Sequence, residues 1–326
     1  MPLDMLDSPR VTRVGETNVA WTELGSGPPL LCLHGLGDSH RTWRRILPLL
    51  APHRRLILPD LPGHGLSGRP DAPYTLAWYS QTMHGFLDAL GLESVSVLGH
   101  SYGGGVAQWM VLDARERIER LVLVAPGGLG RRVGIGMRLA AFPVLGPLIT
   151  PLAMRVGTRV MMRVAAGELG SPEPEEIDRL AWMNSAPGSG RAFTRTVAGA
   201  VDLFGQYLHT WDRIHEVASL PPLMLHWGDR DRVIPVAHGF AARERLEGVE
   251  LLVYPGVGHF PHLDQPELFA SKARGFLEES RPARSVLRAV PTPLERRGAL
   301  MRFLVRVGGA LRRALRGAPP RAAPVW

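Results

Sequence analysis

Gly99-His100-Ser101-Tyr102-Gly103-Gly104 places a serine with glycines two positions to either side, between the apolar run 95–98 and a helix-like stretch at 104–113. This is the pattern of a tight strand-to-helix turn, in which small neighbours let the backbone bend and leave the serine hydroxyl at the tip. A serine hydroxyl is a weak nucleophile near neutral pH. To attack a carbonyl it needs a neutral imidazole to take its proton and an acid to hold that imidazole in the right tautomer. Nucleophilic acyl chemistry is therefore the first chemistry to test against the rest of the chain.

The elements that would position such a serine are legible. The chain has 326 residues, 45% hydrophobic and 21% charged, which suits a globular protein and excludes a mainly disordered, coiled-coil or collagen-like one. Cys32, alone in the chain, has no internal disulfide partner and sits in the apolar run Pro29-Leu30-Leu31-Cys32-Leu33, as a buried hydrophobe does. The acidic N-terminus lacks the features of a signal peptide, and the nearest candidate for a membrane span, the uncharged stretch 139–154, is broken by Pro143, Pro147 and Pro151, so a soluble cytoplasmic protein is expected. Runs at 10–14 and 18–24 read as a hairpin. Continuous apolar runs at 30–33, 56–58, 95–98, 121–124, 222–226 and 250–254 read as strands buried on both faces, with helices between them at 79–90 and 104–113. The fold class is thus α/β, a mostly parallel sheet flanked by helices. Residues 126–216 interrupt the rhythm. They are rich in Met, Gly and Pro, lack clear strands and show helical periodicity at 157–166 and 174–183, which predicts a helical cap inserted into the core. The domain organisation expected is core at 1–125, cap at 126–216, core again at 217–280, and a basic linker and tail helix at 281–326.

Charge divides the same way. From Arg281 onward eleven Arg accompany a single acid, Glu295, so the tail carries +10 and the first 280 residues −2 of the net +8. Over 295–316 the apolar side chains Leu300, Phe303, Leu304, Val307, Leu311 and Leu315 share one helical face, opposite Arg302, Arg306, Arg313 and Arg316. Such a helix either lies on an anionic membrane surface, each Arg contributing about 1 kcal/mol, or packs its stripe on the protein itself. The tail thus offers a reading of a different class, a peripheral membrane-binding protein at the inner face of the membrane. No aromatic-interleaved basic motif points to nucleic acid.

With these elements in place the chain resembles the α/β-hydrolase superfamily, in its cap-bearing branch of esterases and C–C hydrolases, over roughly residues 10–280. The family's chain order is nucleophile, acid, histidine. Ser101 is then the nucleophile. Of Asp229 and Asp231 in Trp227-Gly228-Asp229-Arg230-Asp231-Arg232-Val233-Ile234-Pro235, the family's G-x-x-D selects Asp231 and leaves Asp229 as a turn-forming acid. The family places the base directly after Gly258, which selects His259 over His262. His34-Gly35-Leu36-Gly37 matches the H-G-x-G loop, which implies an oxyanion hole made by the backbone N–H groups of Leu36 and Tyr102, each such donor worth about 3 kcal/mol. The segment Pro59-Asp60-Leu61-Pro62-Gly63-His64-Gly65 matches a further loop of the family and reads as structural.

The resemblance implies hydrolysis through an acyl-enzyme with no metal and no organic cofactor. The cap is apolar, with Met137, Phe142 and many aliphatic neighbours, so the leading expectation is a carboxylic ester with an apolar acyl or alkyl group. The alternative is C–C bond hydrolysis of a vinylogous diketone of the meta-cleavage-product type, for which Arg191 or Arg195 of the cap would pair a substrate carboxylate. His100 before the nucleophile and Phe260 after the histidine depart from that branch, which has Asn and Trp there. Residues expected to touch substrate are His34, Arg191, Arg195, Phe260, Met137 and Phe142. The oligomeric state is not legible.

Overall fold

The apolar runs become strands because their residues alternate between two cores. In the computed structural model Leu31 and Leu33 face one side of a sheet together with Ile57, Val97 and Leu123, while Leu30 and Cys32 face the other with Leu58, Leu98 and Val124. Each side is therefore apolar, and the sequence reads as continuous hydrophobicity rather than alternation. The structure describes residues 6, 8–140, 151–166, 171–217, 219–279 and 286–287. The chain divides into two compact units, Met1–Val286 and Leu287–Trp326, and the tail helix expected at 295–316 lies outside the described residues.

Eight strands make the main sheet: β1 (Arg10–Val14), β2 (Thr17–Leu24), β3 (Pro29–Leu33), β4 (Arg55–Pro59), β5 (Val95–His100), β6 (Ile118–Val124), β7 (Leu223–Gly228) and β8 (Glu250–Tyr254). Their spatial order is β1-β2-β4-β3-β5-β6-β7-β8. β2 pairs antiparallel with β1 and β4; all other neighbours are parallel. Strand order reverses around β3, so the carboxyl ends of β3 and β5 open beside each other. In parallel sheets that crevice is where ligands bind. Helices α1 (Leu76–Ala89) and α2 (Ser101–Asp113) bury Tyr79, Met83, Phe86, Val106 and Met110 on one face of the sheet. Helix α7 (Pro266–Glu278) buries Phe269, Ala273 and Phe276 on the other, with Trp43 and Leu50.

Between β6 and β7 stand α3 (Ile135–Ala140), α4 (Pro151–Ala165), α5 (Pro174–Met183) and α6 (Ser189–Ala198). Helix α4 starts a turn and a half before the expected residue 157, with Pro151 at its first position, where a missing N–H costs nothing. This segment also holds a hairpin of two-residue strands, Val201–Asp202 and Gly205–Gln206, where no strand was expected. The helices pack through Met162, Ala165, Ile177 and Leu180 onto Phe260 and Leu263, just beyond the carboxyl end of β8.

Several histidines are sealed in these cores. His34, His64, His100, His226 and His262 are all fully or nearly fully buried. Burial lowers each imidazole below its ordinary range, to about 3 for His64 and His226. His40 goes the other way: burial lowers it, but the Asp60 carboxylate 2.8 Å from its Nδ1 outweighs that. A depressed imidazole stays neutral in the fold while the unfolded chain takes up the proton. The contribution of these lowered groups is therefore full above about pH 6.5 and is lost as pH falls below it, at up to ~1.4 kcal/mol per pH unit for each group; the raised His40 acts only above pH 6.5, where its contribution is lost as pH rises, and leaves the acid side unchanged. Denaturant titrations at pH 7.5, 6 and 5 should show a loss between pH 6 and 5 steeper than one imidazole supplies. A flat profile would mean these side chains ionise inside the fold.

Candidate active site

Ser101 begins α2 with φ +52°, a left-handed backbone that L-residues rarely adopt. Two close approaches impose the bend. A Cβ at Gly103 would lie 2.4 Å from the carbonyl oxygens of Leu33 and His34, so only glycine lets α2 settle against the end of β3. A Cβ at Gly99 would meet Gly104 Cα at 2.8 Å as the chain doubles back. The Ser101 carbonyl accepts from Gly127 N–H at 3.0 Å, which ties the turn to the loop after β6. Ser101 is nearly buried and lines a small cavity of about 70 Å³ together with Leu36, Tyr102 and His259.

His259 stands on the loop after β8. Its Nδ1 lies 2.7 Å from Asp231 Oδ2, and Asp231 Oδ1 accepts the backbone N–H groups of Val233 and Ile234 at 2.8 and 2.9 Å. The carboxylate is thereby held at both oxygens and fully covered. An acceptor at Nδ1 puts the imidazole proton there, which leaves Nε2 as a bare acceptor. Nε2 is buried and has no hydrogen-bond partner among the described residues. Asp229, two positions earlier, accepts from Gly256 N–H at 2.8 Å and braces the same loop from outside. His262 is fully buried, with Nε2 3.0 Å from Thr42 Oγ1. Such a constellation, a serine on a strained turn in one cavity with an oriented imidazole, has the parts that nucleophilic acyl transfer requires.

Behind these residues His100 links nucleophile turn and histidine loop. Its Nε2 donates to the His259 carbonyl at 3.0 Å, and its ring packs at 4.8 Å from both His259 and His262. Burial, then the neighbouring imidazoles, hold it well below its ordinary range, so it stays neutral as pH falls.

Of the residues named from sequence as substrate contacts, Met137 and Phe260 line the cavity. His34 does not. It is fully buried, its Nε2 accepting Leu61 N–H at 2.9 Å while Nδ1 donates to Gly35 O at 2.8 Å, so it holds the loop rather than a ligand. Arg191 and Arg195 also take other roles. Arg195 pairs with Asp71 and donates to Ala72 O at 2.9 Å, and Arg191 reaches Arg69 O at 3.3 Å; neither lines the cavity. Phe142 lies outside the described residues.

Two residues went unnoticed in the sequence. Gln206 lines the cavity from the short hairpin, its amide accepting Gly128 N–H and donating to Gly130 O, both at 2.8 Å. Asn184, at the end of α5, donates to Gly37 O at 2.6 Å and so ties the helical segment to the loop after β3. The same segment reaches the histidine loop, where His259 N–H donates to Ala165 O at 2.9 Å.

Comparison with known proteins agrees with this architecture. A family model described as "Alpha/beta hydrolase family" matches residues 30–272. An uncharacterised protein of Mycobacterium tuberculosis (strain H37Rv) is 34% identical over 293 residues, covering 87% of this chain and 82% of that protein. A 2-hydroxymuconate semialdehyde hydrolase of Pseudomonas sp. (strain CF600) is 27% identical, covering 78% of this chain and 89% of that enzyme. Among solved structures, the meta-cleavage product hydrolase of Pseudomonas fluorescens IP01 superposes with a TM-score of 0.70 at 23% identity, over 85% of this chain and all of the other. With a family model spanning most of its length, its sheet order and its strained serine turn, the chain belongs to the alpha/beta hydrolase family.

Proposed function

We propose that the chain is a serine hydrolase that cleaves a carboxylic ester with an apolar acyl group. The observation that carries this reading is the Asp231–His259 hydrogen bond of 2.7 Å, which leaves Nε2 bare and buried in the cavity that Ser101 lines. Ser101 Oγ attacks the acyl carbon as His259 Nε2 takes its proton. The carbonyl oxygen, now negative, sits against the N–H groups of Leu36 and Tyr102, the latter in the first turn of α2 where peptide dipoles favour negative charge. The proton then passes from Nε2 to the leaving alcohol oxygen, and the C–O bond breaks. Water, deprotonated by the same nitrogen, attacks the acyl-enzyme and releases the acid with Ser101 restored. Asp231 stabilises the imidazolium formed in both halves.

A second reading, C–C hydrolysis of a vinylogous diketone, draws support from the printed activities of relatives such as the 2-hydroxymuconate semialdehyde hydrolase. The electrostatics of the cavity favour the ester. No Arg or Lys is among its described lining residues, and the two cap arginines that would pair a substrate carboxylate are engaged with Asp71 and backbone carbonyls of the loop 69–72.

Hydrolysis of p-nitrophenyl esters, set beside hydrolysis of a 2-hydroxy-6-oxo-dienoate, separates the two. The expected result is ester turnover and none of the dienoate; the reverse would replace the ester reading by the C–C one. Ser101→Ala should fold normally and lose both turnover and labelling by a fluorophosphonate, and persistent labelling would remove Ser101 from its role. The two aspartates give a sharper contrast. Asp231→Asn is expected to cost about 10⁴ in kcat by disturbing the tautomer, whereas Asp229→Asn, in a turn, should leave kcat within about threefold. Equal losses would contradict the assignment of the acid.

A further inference from the structure

The cavity at Ser101, about 70 Å³, is far smaller than the ~300–1,000 Å³ that ligand sites commonly take. It holds little beyond the reacting group. A second cavity of about 610 Å³ adjoins it, lined by residues of α3, α4 and α6 and by Arg232 and Val233. Met137, Met161 and Val233 line both spaces and so form the partition between them. Two of the three are methionines, whose unbranched side chains change rotamer with little resistance.

The larger chamber is apolar, with Thr158 and Arg232 the polar exceptions among its described lining residues, and Ile135, Val160 and Val164 on its wall are about half exposed or more, so it opens to the surface. Two glycines keep its open side clear. Gly136 and Gly157 both line it from within helices, both are exposed, and a Cβ at either would meet no described residue within 4 Å. Glycine inside a helix is destabilising relative to alanine. Here no turn and no close approach among the described residues requires it. Gly275, also helical, also exposed and also without described neighbours, differs in that it does not line the chamber.

We propose that this chamber receives the distal part of a long aliphatic acyl chain, which passes between Met137 and Met161 while its carboxyl end reaches Ser101. The substrate class is then an ester of a long-chain fatty acid. This rests on the ester reading above and adds the chain length and the residues that set it.

The test fills the chamber. For p-nitrophenyl esters from butyryl to dodecanoyl, kcat/KM should rise with length in the native protein. Gly157→Phe should lower the dodecanoyl-to-butyryl ratio by at least about tenfold, the scale on which a few methylenes discriminate. Gly136→Phe reads the same ratio from the opposite wall should Gly157→Phe fail to fold, and Gly275→Phe should leave the ratio within about twofold. A ratio unchanged in both chamber variants overturns the proposal. Calorimetric binding of dodecanoate to Ser101→Ala, with and without Gly157→Phe, separates this outcome from failure of the ester reading. Binding that Gly157→Phe abolishes, in a protein without esterase activity, leaves the chamber assigned and the reaction wrong. Esterase activity with no dodecanoate binding leaves the reaction standing and overturns the chamber.

Discussion

The carboxylate of Asp231 is the constraint on which the rest of the site turns. It accepts three hydrogen bonds, two from the backbone of its own loop and one from His259 Nδ1. The first two aim the carboxylate; the third fixes where the imidazole proton resides. Were Nδ1 the bare nitrogen, Nε2 would carry the proton and could not take one from Ser101. An acid that is itself immobile therefore determines the chemistry available several side chains away.

The fold supplies the convergence. Ser101 comes from the end of β5, Leu36 from the end of β3, Asp231 from the end of β7 and His259 from the end of β8. Parallel strands bring all four loops to one edge of the sheet, and the reversal of strand order at β3 sets the serine turn beside the His34-Gly35 loop. Helical insertion between β6 and β7 then closes over them through two hydrogen bonds, His259 N–H to Ala165 O and the Asn184 side-chain amide to Gly37 O. Enclosure matters for catalysis because hydrogen bonds to a developing charge are worth more where water is excluded.

Much of this was legible in the sequence where the physical cause is local. Gly99 is required by an approach of 2.8 Å to Gly104 within the turn itself, and Gly103 beside it by the end of β3, so the turn announces itself in five letters. The strands were legible because both sheet faces are apolar, and the choice of Asp231 over Asp229 followed from the family pattern. What failed was non-local. Arg191 and Arg195 read as free cap charges because their partners, Asp71 and the carbonyls of residues 69 and 72, lie more than a hundred residues away in the chain. His34 looked like a site residue because nothing in its motif reveals that Leu61 N–H occupies its second nitrogen. Gln206 sits in strands of two residues, too short to leave any periodicity. The chamber beside the site is invisible in sequence, since an unneeded glycine and a structurally required one are written alike.

The most direct measurement is mass spectrometry of the protein quenched within one turnover of a p-nitrophenyl ester. An acyl-enzyme on Ser101 requires a mass increase equal to the acyl group, carried on the peptide that contains Ser101 and lost as the acid is released. Turnover without an adduct, or an adduct on another residue, would contradict it.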